Sequence, residues 1–146
     1  MKDIVIFDLD GTLALIEHRL HFLAGKKKNW EKFFAACDSD APHHPIVAVM
    51  KALRATGHET WIVSGRSDAV KVRTIEWFDR HGIEYDKLIM RRDGDYTPDD
   101  ILKRSWLHSG AIPKERILMV FDDRDKVVAM WRKEGLVCAQ VAAGDF

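Results

Sequence analysis

The chain has 146 residues, of which 47% are hydrophobic and 32% charged, a composition that fits one globular domain over residues 1–146 with a real core. Lys plus Arg number 23 and so do Asp plus Glu, so no global field draws the protein to nucleic acid or to an anionic membrane, and a nucleic-acid partner would have to meet a local patch. No apolar run approaches a membrane span, the longest being Ile117 to Phe121, and Asp3, Asp8 and Asp10 break the stretch where a signal peptide would lie.

The predicted elements alternate. Asp3–Phe7 is a compact β-branched run that reads as a strand. Residues 13–44 do not fit the alternation; they hold two short helical turns around a basic loop, Gly25-Lys26-Lys27-Lys28-Asn29, and read as a small flap over the ligand edge. Pro45 opens a helix with Ile46, Val49, Met50 and Leu53 on one face, which Gly57 closes. Glu59–Val63 is the second strand. Asp68 to His81 is helical and stops at Gly82. Lys87–Met90 is a weaker strand. Thr97-Pro98-Asp99-Asp100 reads as a helix start, with Thr97 as cap and two carboxylates at the positive dipole end. Ile117–Phe121 is the fourth strand, Asp125 to Glu134 the last helix, and Leu136–Val141 the fifth strand. Fully apolar strands separated by helices predict an α/β fold: a five-stranded parallel sheet flanked by helices, with ligands at the strands' C-terminal edge.

That edge gathers chemistry. Asp8-Leu9-Asp10-Gly11-Thr12 follows the first strand, Ser64-Gly65-Arg66 the second, and Asp122-Asp123-Arg124 the fourth, while the helix after Thr97 brings Lys103. Four carboxylates that close cannot all stay ionised without a cation. An oxygen-only ligand set points to a hard ion, Mg²⁺ first. Cys37 and Cys138 lie far apart with no CxxC, which excludes a disulfide scaffold or a cysteine zinc site, reads as two buried small residues, and predicts a cytoplasmic location.

The order of these residues resembles the haloacid dehalogenase (HAD) superfamily of phosphohydrolases, over nearly the whole chain. Phe7-Asp8-Leu9-Asp10-Gly11-Thr12-Leu13 looks like its first motif, Ser64 its second, Lys103 its third and Asp122-Asp123 its fourth. The resemblance implies a HAD-like Rossmannoid fold and a set of roles. Asp8 would be the nucleophile that forms an aspartyl-phosphate, and Asp10 the general acid and base. Asp8, the backbone carbonyl of Asp10, Asp122 and Asp123 would hold Mg²⁺. Ser64 and Lys103 would hold phosphoryl oxygens, with Thr12 and Gly65 on the substrate side.

A narrower resemblance is to the 3′-phosphatase domain of phage polynucleotide kinase–phosphatases. It rests on Val63-Ser64-Gly65-Arg66, on Cys37-Asp38-Ser39-Asp40, on the stretch from Asp122 through Arg132, and on Gln140-Val141-Ala142 with Gly144-Asp145-Phe146. It implies that Arg19 and Arg66 assist at the phosphate. No G-x-x-x-x-G-K-[ST] loop occurs, so an ATP-binding kinase module is not expected in this sequence.

The secondary features divide two ways. Lys26-Lys27-Lys28 either grips a nucleic-acid backbone or is a solvated loop. Trp30 either stacks a nucleobase or packs the flap, whereas Phe33 or Phe34 reads as the flap's anchor. His18 and His21 read as exposed flap residues, His43-His44 as helix-entry residues, and Trp131 as packing. The leading expectation is a Mg²⁺-dependent phosphomonoesterase that removes 3′-phosphates from nucleic-acid ends. The alternative substrate is a free mononucleotide, as for a 5′-nucleotidase. A phosphoaspartate receiver module is a different class that shares the residue types, but it lacks the Asp-x-Asp pair, and Asp10 argues for turnover. A catalytically idle scaffold is a third class that no residue favours.

Overall fold

The computed structural model describes residues 1–146. In chain order the elements are β1 (Ile4–Phe7), β2 (Ala14–Leu15), α1 (Trp30–Ala35), β3 (Ala41–Pro42), α2 (His44–Ala55), β4 (Glu59–Ser67), α3 (Lys71–Arg80), β5 (Lys87–Arg91), α4 (Asp99–His108), β6 (Ile117–Asp122), α5 (Asp125–Lys133) and β7 (Cys138–Gln140), with 3-10 turns at Glu17–Leu23, Cys37–Ser39, Asp68–Val70 and Lys114–Arg116. Five strands form one parallel sheet in the order β5-β4-β1-β6-β7. The C-terminal ends of β1, β4 and β6 therefore share one edge, with β1 in the middle.

The central strand β1 is apolar throughout because both its faces are covered. Ile4 and Ile6 face one way, packing with Trp61, Val63 and Val120 against Leu107 of α4 and Val127, Val128 and Trp131 of α5. Val5 and Phe7 face the other way, packing with Ile62 against Val47 and Met50 of α2 and Trp77 and Phe78 of α3. Each such fully buried large side chain contributes roughly 1.5–3 kcal/mol relative to exposure. This two-sided core fixes the register of β1 and hence the place of Asp8, the next residue.

Residues 13–44 lie between two sheet-side anchors. β2 and β3 pair antiparallel, Ala14 with Pro42 and Leu15 with Ala41, and make the stem of the flap. The flap has its own small core of Ile16, Leu23 and Phe33, with Trp30, Phe34 and Phe146 packed on it. Phe33 is buried, as an anchor should be. Lys26, Lys27 and Lys28 are exposed.

Four local expectations are corrected. Thr97 does not cap α4: Pro98 stands at the cap position, and the Thr97 hydroxyl donates to Asp95 Oδ1 at 2.6 Å, closing the preceding loop. β4 runs on to Ser67, so Ser64 and Arg66 are strand residues instead of following it. The stretch from Asp68 begins as a 3-10 turn, and its α-helix starts only at Lys71. The last strand is shorter than its apolar run, because Leu136 packs into the core before Cys138 joins β6.

Candidate active site

β1 delivers Asp8 and β6 delivers Asp122 and Asp123, and the three carboxylates have oxygens within 4.8 Å of one another. α4 brings Lys103 between two of them: its Nζ donates to Asp8 Oδ1 and to Asp122 Oδ2, each at 3.0 Å. Asp122 is fixed further, since Trp131 Nε1 donates to Oδ2 at 3.0 Å and the Asp123 amide donates to Oδ1 at 2.9 Å. Trp131 is thus buried packing with a polar duty. Burial and the nearby Asp122 push the Asp8 carboxyl well up, against the pull of Lys103. Burial and Asp122 likewise push Asp123 up to about 7. Lys103 is buried too, but Asp122, Asp8 and Asp99 hold it charged. One ammonium against three clustered carboxylates leaves negative charge over, and an all-oxygen set of this kind fits a divalent cation. Gly11 makes room for the cluster: it has φ +84°, and a Cβ there would collide with the Asp123 carboxylate.

Asp10 points elsewhere. Arg19 Nη2 donates to its Oδ1 at 2.6 Å and Arg66 Nη2 donates to the same oxygen at 2.5 Å. Burial alone would raise the Asp10 pKa, but the two guanidiniums outweigh it and hold the carboxyl down at about 2. The Asp10 side chain is therefore not part of the three-carboxylate cluster. Arg66 also donates to Thr74 Oγ1 at 3.0 Å, which ties it to α3.

A groove of about 690 Å³ opens above these groups, with Asp8, Asp10, Gly65, Arg66, Asp99 and Asp123 among the residues that line it. One wall is the flap, through Trp30, Phe33 and Phe34; the other is the 93–98 loop, through Tyr96 and Pro98; Lys28, Arg91, Arg124 and Lys126 supply positive charge. Thr12, Ser64, Arg19, Lys103 and Asp122 do not line the groove; they are buried behind it. The Thr12 hydroxyl lies 3.5 Å from Asp8 Oδ2 and 3.4 Å from Asp123 Oδ1. Ser64 Oγ accepts from the Arg66 amide at 3.1 Å. Trp30 is half-buried beside Phe33 and Phe34, with the Arg124 guanidinium 5.5 Å and the Lys28 ammonium 5.8 Å from its ring centre. His43 Nδ1 bonds the Thr12 carbonyl at 2.9 Å, so the helix-entry histidine also braces the loop after Asp8.

Sequence reasoning missed three residues. Asp99 was assigned to the helix dipole, yet it sits one turn before Lys103 at 4.0 Å and between Arg91 at 3.5 Å and Arg124 at 3.7 Å. A Cβ on Gly65 would collide with its carboxylate, so any larger residue there would displace Asp99. The i, i+4 spacing to Lys103 was the available clue. Tyr96, 88% exposed at the groove wall, had none. Asp40 is the third: it stands in the Cys37-Asp38-Ser39-Asp40 stretch that carries the resemblance but was given no role, and it holds Arg19 from behind.

A parallel sheet with two acidic strand ends, a serine on the neighbouring strand β4 and a lysine from α4 defines a phosphatase of the HAD superfamily. Residues 2–146 match the family described as "Polynucleotide kinase PNKP phosphatase domain", and the chain belongs to that family. It is 32% identical over 131 residues to a protein of Autographa californica nuclear polyhedrosis virus described as "Putative bifunctional polynucleotide kinase/RNA ligase", covering 88% of this chain and 17% of that one. It superposes on a chain of the Pnkp1/Rnl/Hen1 RNA repair complex with TM-score 0.84 and 34% identity, covering 98% of this chain and 43% of that chain. CbbY from Rhodobacter sphaeroides, in complex with phosphate, shares the fold at TM-score 0.62 and 17% identity, covering 100% of this chain and 88% of that one. The chain thus spans less than half the length of the first two relatives. It has no helix long and apolar enough to cross a membrane.

Proposed function

We propose that this phosphatase acts as one domain over residues 1–146 and removes 3′-phosphates from nucleic-acid ends, with the phosphoryl group passing through Asp8 and Mg²⁺ as the cation. The observation that carries this reading is the division of labour between Asp8 and Asp10. Asp8 lines the groove; its Oδ1 accepts from Lys103 at 3.0 Å, whereas Oδ2 has no charged donor and only the Thr12 hydroxyl at 3.5 Å. That free oxygen is the nucleophile. Its bond to phosphorus forms as the bond to the leaving 3′-oxygen breaks.

Asp10 gives its proton to the leaving oxygen, then takes one from the water that attacks the aspartyl-phosphate, freeing inorganic phosphate and restoring Asp8. At rest the two arginines hold Asp10 ionised. Its service as an acid therefore requires that it take up a proton from solvent as substrate arrives, when the phosphoryl oxygens share the Arg19 and Arg66 donors and weaken their hold on the carboxylate. Lys103 and Ser64 hold those oxygens, with Thr12 and Gly65 closing the loop ends around them. Asp8, Asp122, Asp123 and the Asp10 carbonyl would hold Mg²⁺, which supplies neutralisation of the carboxylates and of the phosphoryl charge.

The polynucleotide substrate is supported by the family and by the groove. Trp30 from the flap and Tyr96 from the 93–98 loop both offer aromatic surface to the groove, and stacking accepts any base. The relatives' descriptions, an RNA ligase fusion and an RNA repair complex, favour RNA ends. The test is Asp8→Asn: turnover of a 3′-phosphorylated oligonucleotide should vanish with the fold intact, and the unaltered enzyme should bind beryllium fluoride with Mg²⁺ tightly. An active Asp8→Asn enzyme would remove the nucleophile from the reading.

A further inference from the structure

Asp40 lies between the Cys37–Ser39 turn and β3, at the end of the flap, and does not line the groove. Its side chain is wholly buried. Oδ1 accepts from Arg19 Nε at 2.9 Å and contacts His18 Nε2 at 2.6 Å. Oδ2 accepts from Arg19 Nη2 at 2.5 Å and from Arg66 Nη2 at 3.5 Å. The backbone is fixed as firmly: its amide donates to the Cys37 carbonyl at 3.1 Å, and its carbonyl accepts from Trp77 Nε1 of α3 at 2.9 Å. Arg19 is completed by Nη1 donating to the Phe33 carbonyl at 3.1 Å and by the Phe33 ring 4.3 Å from its guanidinium carbon. What remains of Arg19 points at Asp10.

We propose that Asp40 is a positioning residue of the phosphatase site, which holds Arg19 by a two-point clamp and Arg66 by a shared oxygen so that both guanidiniums present donors to Asp10 and to the incoming phosphoryl group. This inference rests on the roles given above to Arg19 and Asp10. The physical need is plain. Two buried guanidiniums side by side repel, and one carboxylate does not balance them. Asp40 supplies the second negative charge, so the four groups together are neutral. It also removes the rotamer freedom of a long side chain in the flap, and it does so from a backbone anchored to the sheet-side helix α3. A planar fork matched to a carboxylate is the geometry that lysine cannot copy. The clamp makes the flap's contribution to the site as rigid as the strand's.

The test is a double-mutant cycle read on p-nitrophenyl phosphate. Asp40→Asn keeps the shape and removes the charge. It should lower kcat by roughly 10–100-fold, as expected when a positioning contact is lost. Arg19→Lys should be impaired on its own. In that background, adding Asp40→Asn should cost less than about threefold, because contacts that act as a unit are not additive. A merely structural Asp40 would cost the same factor in both backgrounds, and that result overturns the proposal. A fully active Arg19→Lys enzyme overturns it too, and with it the role of Arg19; an impaired Arg19→Lys with additive losses overturns only the role of Asp40. If Asp40→Asn does not fold, the unaltered protein decides. One guanidinium Nε–H signal, assigned by its loss in Arg19→Lys, should resist exchange with solvent by NMR, and its rapid exchange would overturn the clamp.

Discussion

Lys103 Nζ stands 3.0 Å from Asp8 Oδ1 and 3.0 Å from Asp122 Oδ2, so one ammonium from α4 joins the ends of β1 and β6. It is buried, and its carboxylate neighbours keep it charged. Lys103→Met should lower kcat by roughly 10²–10³-fold, the usual loss when a preorganised donor to a reacting group is removed. It should also lower Tm, because Asp8 and Asp122 then repel without relief. Retention of kcat in a folded Lys103→Met protein would contradict the role.

The same carboxylates predict a dependence of stability on pH. Asp123 is raised to about 7, above the unfolded value near 3.9, so the unfolded chain gives up its proton first and stability is lost as pH rises from about 4 through about 7. The raised Asp8 acts in the same direction. Asp10 is held at about 2, so its contribution, on the order of 2 kcal/mol, is lost as pH falls from about 4 through about 2. The cation-free protein should thus melt lower at about pH 8 than at about pH 5. Added Mg²⁺ should raise Tm more at the higher pH, because it binds the ionised cluster. Calorimetry at both values decides; an equal rise at both, or none, would speak against the cluster as the cation site.

Much of this was legible beforehand, for identifiable reasons. β1 and β6 are apolar at every position that two covered faces demand, and an aspartate directly after each is hard to explain as capping alone. Lys103 and Arg19 were legible through the resemblance, which supplies an order of residues that periodicity does not. Asp40 was part of the resemblance but carried no role in it, and the place of Asp99 beside Arg91 and Arg124 was not legible. Both are charged residues held by partners outside their own element, Arg19 for one and Arg91 with Arg124 for the other, and local spacing does not encode such partners. Thr97 was misread because its hydroxyl could either accept from a free N–H of the helix start or donate to Asp95, and the loop won.

Asp10 as general acid predicts a leaving-group effect. Asp10→Asn should slow hydrolysis of p-nitrophenyl phosphate less than that of a nucleotide, since nitrophenolate leaves without a proton. Equal losses on both substrates, measured as kcat, would not support the assignment.

The groove walls predict a split between substrates. Trp30→Ala and Tyr96→Ala should each raise KM for an oligonucleotide, by up to roughly 1–3 kcal/mol for a stacked base. Both should leave p-nitrophenyl phosphate nearly untouched. Equal losses on both substrates would make Trp30 a packing residue of the flap core it already touches.

Lys26, Lys27 and Lys28 are exposed, and Lys28 reaches the groove. If they follow a polymer backbone, activity on an oligonucleotide should fall with salt more steeply than activity on a mononucleotide. Replacing the three with Ala should flatten that slope and leave the mononucleotide rate unchanged. An unchanged slope would make them a solvated loop.

The most direct measurement is kcat/KM, with Mg²⁺ present, for 3′-phosphorylated RNA and DNA oligonucleotides set beside 3′- and 5′-mononucleotides. A polynucleotide 3′-phosphatase should prefer the 3′-phosphorylated oligonucleotides, RNA above all, by a large factor. A large preference for free 5′-mononucleotides would contradict the end-directed role and leave a mononucleotide phosphatase in its place.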